Sequence, residues 1–108
     1  MDLQLTDNDL KLFKACRDRW GRDYELRKLV EELNEAGAVL SKFMNGETDY
    51  ADVNQEIADV LIMIGQYCWQ ENQSHQVYTQ IIVKQERAWR EALKMRPEDV
   101  HLDVKDLV

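Results

Sequence analysis

The residues of this chain best suited to chemistry are four carboxylates at a repeated spacing. Glu32 and Glu35 stand three apart, and Glu56 and Asp59 stand three apart after twenty intervening residues. On a helix, residues three apart share a face with Cβ atoms about 5–6 Å from one another. Two helices that each carry such a pair, joined by a short loop, bring all four carboxylates together. Carboxylates in that position have three fates. They stay solvated as ordinary surface charge, they pair with Lys or Arg across a bundle, or they bind hard divalent cations. Burial of an unpaired carboxylate is costly, so inside a bundle it must be neutralised or protonated. An all-oxygen set suits Mg²⁺ or Mn²⁺ better than iron or zinc. A di-iron bundle requires Glu-x-x-His on two helices. The single such spacing runs from Glu98 to His101, beyond Pro97.

The elements that must position these groups read as helices. The chain has 108 residues with one Pro and four Gly. Such sparse turn chemistry argues against an all-β fold and for long helices in one domain. The first helix is expected from Thr6 or Asp7 to Trp20, with Leu10, Phe13 and Cys16 as its buried stripe and Gly21 as its stop. Asp23 is the expected N-cap of a second helix that ends at Met44 before Asn45-Gly46. A loop over 47–51 follows. Asp52 with Gln55 resembles a capping box opening a third helix, Val53 to Gln70. Ser74 is the expected N-cap of a fourth, which ends before Pro97. The expected organisation is a helical domain over 1–97 and a tail over 98–108, docked as an extended arm or mobile.

The second helix carries its main apolar stripe at Leu26, Leu29, Val30, Leu33, Gly37 and Leu40. Glu32 and Glu35 flank a second, partly apolar face with Ala36, Val39 and Phe43, while Glu31 points elsewhere, to solvent. The third helix is apolar nearly all round: Val53, Ile57, Val60, Leu61, Ile64 and Cys68 share one face, Ala58, Ile62 and Trp69 another, and Met63 a third. A helix of that kind must be surrounded. Three neighbours within one small chain hardly suffice, so an all-α, four-helix bundle completed by homo-oligomerisation is expected.

Charge excludes other classes. Twenty-one acidic residues against fourteen basic ones leave a net charge of −7. Nucleic-acid backbones and anionic membranes both reward basic surfaces, so neither is an expected partner. No apolar run approaches the roughly 18–20 residues of a membrane span. The residues from Met1 to Leu5 lack the basic and apolar regions of a signal peptide. Cys16 and Cys68 are isolated within helical patterns and read as buried thiols of a cytoplasmic protein, with a disulfide or metal pair as the alternative.

The run Glu31-Glu32-Leu33-Asn34-Glu35, followed by Glu56-Ile57-Ala58-Asp59-Val60-Leu61, resembles the signature of the MazG-like, all-α nucleoside triphosphate pyrophosphohydrolases. Either half is weak alone, and both halves at this spacing form a fairly specific pattern. Trp20-Gly21 and Leu29-Val30 resemble the family's lead-in, and the likeness covers roughly Arg19 to Leu93. It implies a helical homodimer or homotetramer that cleaves a nucleoside triphosphate between its α and β phosphates, giving a monophosphate and pyrophosphate. By position, the resemblance makes Glu32, Glu35, Glu56 and Asp59 the Mg²⁺ ligands and catalytic residues, with Mn²⁺ as a substitute. It also makes Lys84 and Arg87 candidates for the phosphates, against the alternative of a solvated basic face. Many relatives carry an Asn a few residues after the Lys, where this chain has Gln85, Arg87 and Ala88, so phosphate and sugar contacts are expected to differ. Trp20, Phe43 and Trp69 are candidates for stacking on the base, with core packing as the alternative. Two other readings stand beside this one. One is a non-catalytic helical nucleotide-binding or regulatory module. The other is a specialised enzyme such as a phosphoribosyl-ATP pyrophosphohydrolase or a dimeric dUTPase, the latter usually longer.

Overall fold

The computed structural model describes residues 6–94. Among them are four α-helices and no strand: α1 (Asp7–Trp20), α2 (Arg22–Met44), α3 (Tyr50–Gln70) and α4 (Ser74–Leu93). None is long and apolar enough to cross a membrane. The chain divides into two compact units, one ending at Gln73 and holding α1 to α3, the other beginning at Ser74 and holding α4. Pro97, the Glu98/His101 pair and the expected tail over 98–108 lie outside the described residues.

The helix ends follow capping chemistry, with three corrections to the expected boundaries. At α1, Thr6 and Asp9 form a reciprocal capping box: the Asp9 N–H donates to Thr6 Oγ1 at 3.1 Å and the Thr6 N–H to Asp9 Oδ2 at 2.9 Å. Gly21 both ends α1 and caps α2, where Asp23 was expected. Its φ of +92° is open to glycine and strained for other residues, and it reverses the chain in one residue, so Asp23 falls into the first turn. At α3 the cap is Asp49, not Asp52: the Asp52 N–H donates to Asp49 Oδ1 at 3.2 Å. Thr48 Oγ1 donates to the Asp52 carboxylate. Starting one turn early, α3 places Tyr50 against Phe43 with ring centroids 4.8 Å apart. Ser74 is the first residue of α4 and not its cap, a one-residue difference at a helix end.

Contacts at both ends of the α2–α3 pair fix its direction. Phe43 meets Tyr50 at one end, and at the other Arg22 makes a forked ion pair with Glu71, Nη2 to Oε1 at 2.6 Å and Nε to Oε2 at 2.9 Å. The two helices are therefore antiparallel, and each is the other's principal neighbour. Helix α1 lies parallel to α3. Buried Gln66 donates from Nε2 to the Phe13 carbonyl at 2.9 Å, and one turn later the Arg17 guanidinium sits 4.6 Å above the Trp69 ring. With that register α1 covers only the second half of α3, and the buried residues of α3 (Met63, Gly65, Gln66 and Cys68) all fall there. Phe13 is the buried centre of α1, with Leu10 and Cys16 half-buried beside it. Both cysteines are free thiols.

Helix α2 turns an unexpected face inward. Its buried residues are Glu25, Glu32 and Ala36, with Lys28, Leu29, Val39 and Phe43 half-buried along the same side. The apolar stripe is split: Leu26 and Leu29 are half-buried, while Val30 is 57 % exposed and Leu33 50 %. On α3, Ile57 (38 %) and Ile62 (52 %) are exposed as well.

Candidate functional site

The antiparallel hairpin brings three of the four expected carboxylates together. Glu32, Glu35 and Glu56 each contribute one oxygen to a group in which all three oxygens lie within 4.8 Å of one another. Asp59 is exposed beside them, one turn beyond Glu56, and its charge acts on both Glu32 and Glu56. The cluster sits on the half of α3 that lies beyond the reach of α1.

Accessibility grades the four. Glu32 is 6 % exposed, Glu56 is half-buried, and Glu35 and Asp59 are open to solvent. Glu32 Oε1 lies 3.5 Å from Lys28 Nζ. Glu32 Oε2 and Glu56 Oε2 are buried without a hydrogen-bond partner. Burial, reinforced by the charges of Glu35 and Asp59, pushes the Glu32 carboxyl above the usual carboxylate range, and Lys28 opposes this in part. Burial, then Glu35, Asp59 and Asp52, push Glu56 the same way. The charged form of Glu56 thus lacks compensation, and that of Glu32 is compensated by Lys28 only in part.

The chain matches no family model, no curated protein and no solved structure. What the site can do rests on its own residues. Two orphaned carboxylate oxygens and a third acid within reach make a hard, all-oxygen donor set, and a divalent cation would satisfy it.

Trp20, Phe43 and Trp69 each have an aromatic or cationic neighbour other than the carboxylates. Trp20 stacks on Tyr24, centroids 5.9 Å apart, at the turn between α1 and α2. Tyr24 precedes Glu32 by eight residues, about 12 Å along the helix, so this exposed aromatic pair stands away from the carboxylates. Phe43 packs on Tyr50 and Trp69 lies under Arg17, both aromatics being half-buried. Lys84 and Arg87 are exposed on α4, and Arg87 Nε donates to Glu91 Oε1 at 2.9 Å. Two residues absent from the expected site, Glu25 and Lys28, share the inward face of α2 with Glu32. Spacings of three, four and seven residues put them on one helical face, which spacing alone does not show to be the inward one.

Proposed function

We propose that this chain is a Mg²⁺-dependent nucleoside triphosphate pyrophosphohydrolase of the MazG-like class, cytoplasmic and working as a homo-oligomer. The observation that carries the reading is the group of three carboxylates on antiparallel helices with two buried oxygens left unpartnered. Glu32, Glu35 and Glu56 would hold the metal, with Asp59 as a fourth ligand at the rim and Mn²⁺ as a substitute. When bound, the metal supplies positive charge for the phosphates, polarises the attacked phosphoryl group and acidifies water.

The residues of the chain do the rest. Glu32 and Glu56, fixed by burial, set the depth at which a polyphosphate can approach. Glu35 and Asp59, open to solvent, lie on the side from which water and substrate arrive. Four like charges alone would repel a triphosphate, so the carboxylates serve this reaction only as a cation-holding set. In the reaction, water adds to a phosphorus of the α–β bridge and gives up a proton to a cluster carboxylate or solvent, the bond from that phosphorus to the bridging oxygen breaks, and monophosphate and pyrophosphate leave. Support for the oligomer comes from Val30, Leu33 and Leu40 on α2, apolar and exposed beside the site, which a second copy would cover.

Product analysis tests the reaction. Ion-exchange chromatography of digests with Mg²⁺ and a panel of ribo- and deoxynucleoside triphosphates, modified nucleotides and phosphoribosyl-ATP is expected to show monophosphate plus pyrophosphate from a subset. No product with either Mg²⁺ or Mn²⁺ would leave a helical binding module and end the enzymatic reading. Sedimentation equilibrium on the same preparation is expected to return the mass of two or four chains. A monomer at tens of micromolar removes the oligomer from the proposal.

A further inference from the structure

We infer that Lys28 is a built-in counter-ion of the carboxylate cluster and sets how tightly the site holds a divalent cation. The inference rests on the metal-holding role proposed above and adds a residue that the carboxylate pattern does not include. Lys28 lies on α2 one turn before Glu32, half-buried on the same inward face. Its Nζ is 3.5 Å from Glu32 Oε1 and 3.5 Å from Glu31 Oε2. Among the described residues it is the one cation within ion-pairing distance of a cluster carboxylate. Glu32 is thereby divided: one oxygen faces Lys28, and the other is buried without a partner.

This arrangement has a directional consequence. A divalent ion entering the cluster meets a positive charge on the far side of its most buried ligand, and the two compete for the same carboxylate electrons. Lys28 has room on its solvent side to turn away, because its side chain is 41 % exposed. With no metal present it relieves the repulsion among the acids, and with metal present it weakens the hold on the ion. A lysine that merely oriented Glu32 would act the other way, since its loss would disorder a ligand and weaken binding.

Lys28→Met keeps the stem and removes the charge. Titration of the full chain with Mn²⁺, read by electron paramagnetic resonance of the free ion, is expected to show Lys28→Met binding about threefold to tenfold tighter than wild type. Lys28→Arg is expected to stay within about twofold, because it restores the charge. Melted in EDTA, Lys28→Met is expected to unfold at a lower temperature than wild type or Lys28→Arg. Should Lys28→Met not fold, Lys28→Gln takes its place. Equal or weaker Mn²⁺ binding by a folded, charge-free variant overturns the inference and leaves the metal site standing. A wild-type chain that takes up no Mn²⁺ at millimolar concentration overturns the metal site and the inference together.

Discussion

Glu56→Gln is expected to fold as wild type does and to lose nucleotide hydrolysis by about a hundredfold to a thousandfold, the loss that follows removal of one preorganised charge-stabilising group. The substitution changes charge and leaves shape nearly intact. Glu56 Oε2 is buried with no hydrogen-bond partner, and the Glu35 and Glu32 carboxylates stand within 4.8 Å of the Glu56 ligand oxygen. A carboxamide there gains two donors that can face those acids, so the metal-free variant is expected to melt at or above the wild-type temperature. Its poorer ligand, however, cannot balance a divalent ion. The loss is expected in kcat/KM and to persist at saturating Mg²⁺, whereas a structural defect would lower the melting temperature first. Asp59→Asn separates the fourth acid from the three. Asp59 is exposed and acts on the cluster through its charge, so a loss as large as that of Glu56→Gln makes it a ligand. Full turnover by Glu56→Gln would show that the cluster is not the catalytic site.

The carboxylate pairs were legible in the sequence because their geometry is local. Glu32 with Glu35, and Glu56 with Asp59, share a face on any helix, and the short loop at Asn45-Gly46 makes the two helices antiparallel neighbours. The inward face of α2 was not legible. Periodicity finds the most apolar stripe but not the surface that covers it. In a single chain, α3 packs over the side bearing Ala36, whose small side chain is 6 % exposed, and leaves Leu33 and Val30 outside. Lys28 and Glu25 were overlooked for the same reason, since charged residues on a helix are read as solvated unless a tertiary partner removes them from water. The start of α3 was ambiguous on chemical grounds. Asp49 and Asp52 are equally good caps in isolation, and the contact between Phe43 and Tyr50 favours the earlier one. Trp20, a candidate for stacking on a base, has Tyr24 as its neighbour, a local i, i+4 partner that the sequence already contained.

The second large effect is on stability. Without metal, the advantage of Glu32→Gln over wild type is expected to be absent below about pH 4.5 and to grow as the pH rises. The sign follows from proton counting. Stability changes with pH according to the protons bound by the unfolded state minus those bound by the folded state. The folded chain holds Glu32 above its ordinary value of 4.5, through burial and then the charges of Glu35 and Asp59. Between the ordinary value and the raised one, the folded state binds the extra proton. The contribution of Glu32 is therefore fully present below 4.5 and is lost as the pH climbs through the raised value. Glu71, held low by Arg22, contributes in the opposite sense, present above its ordinary value and lost as the pH falls. Comparing two chains that differ only at residue 32 cancels that contribution. Divalent metal is expected to close the gap from the other side. At a Mg²⁺ concentration a hundred times the dissociation constant, wild type gains about 2.7 kcal/mol, or roughly 10–20 °C in a domain of this size, while Glu32→Gln gains much less. Thermal melts of both proteins from pH 4 to pH 8, with EDTA and with Mg²⁺, read out both slopes. If the two chains melt in parallel across that range and neither responds to the metal, Glu32 is solvated in solution and the cluster does not form a cation site.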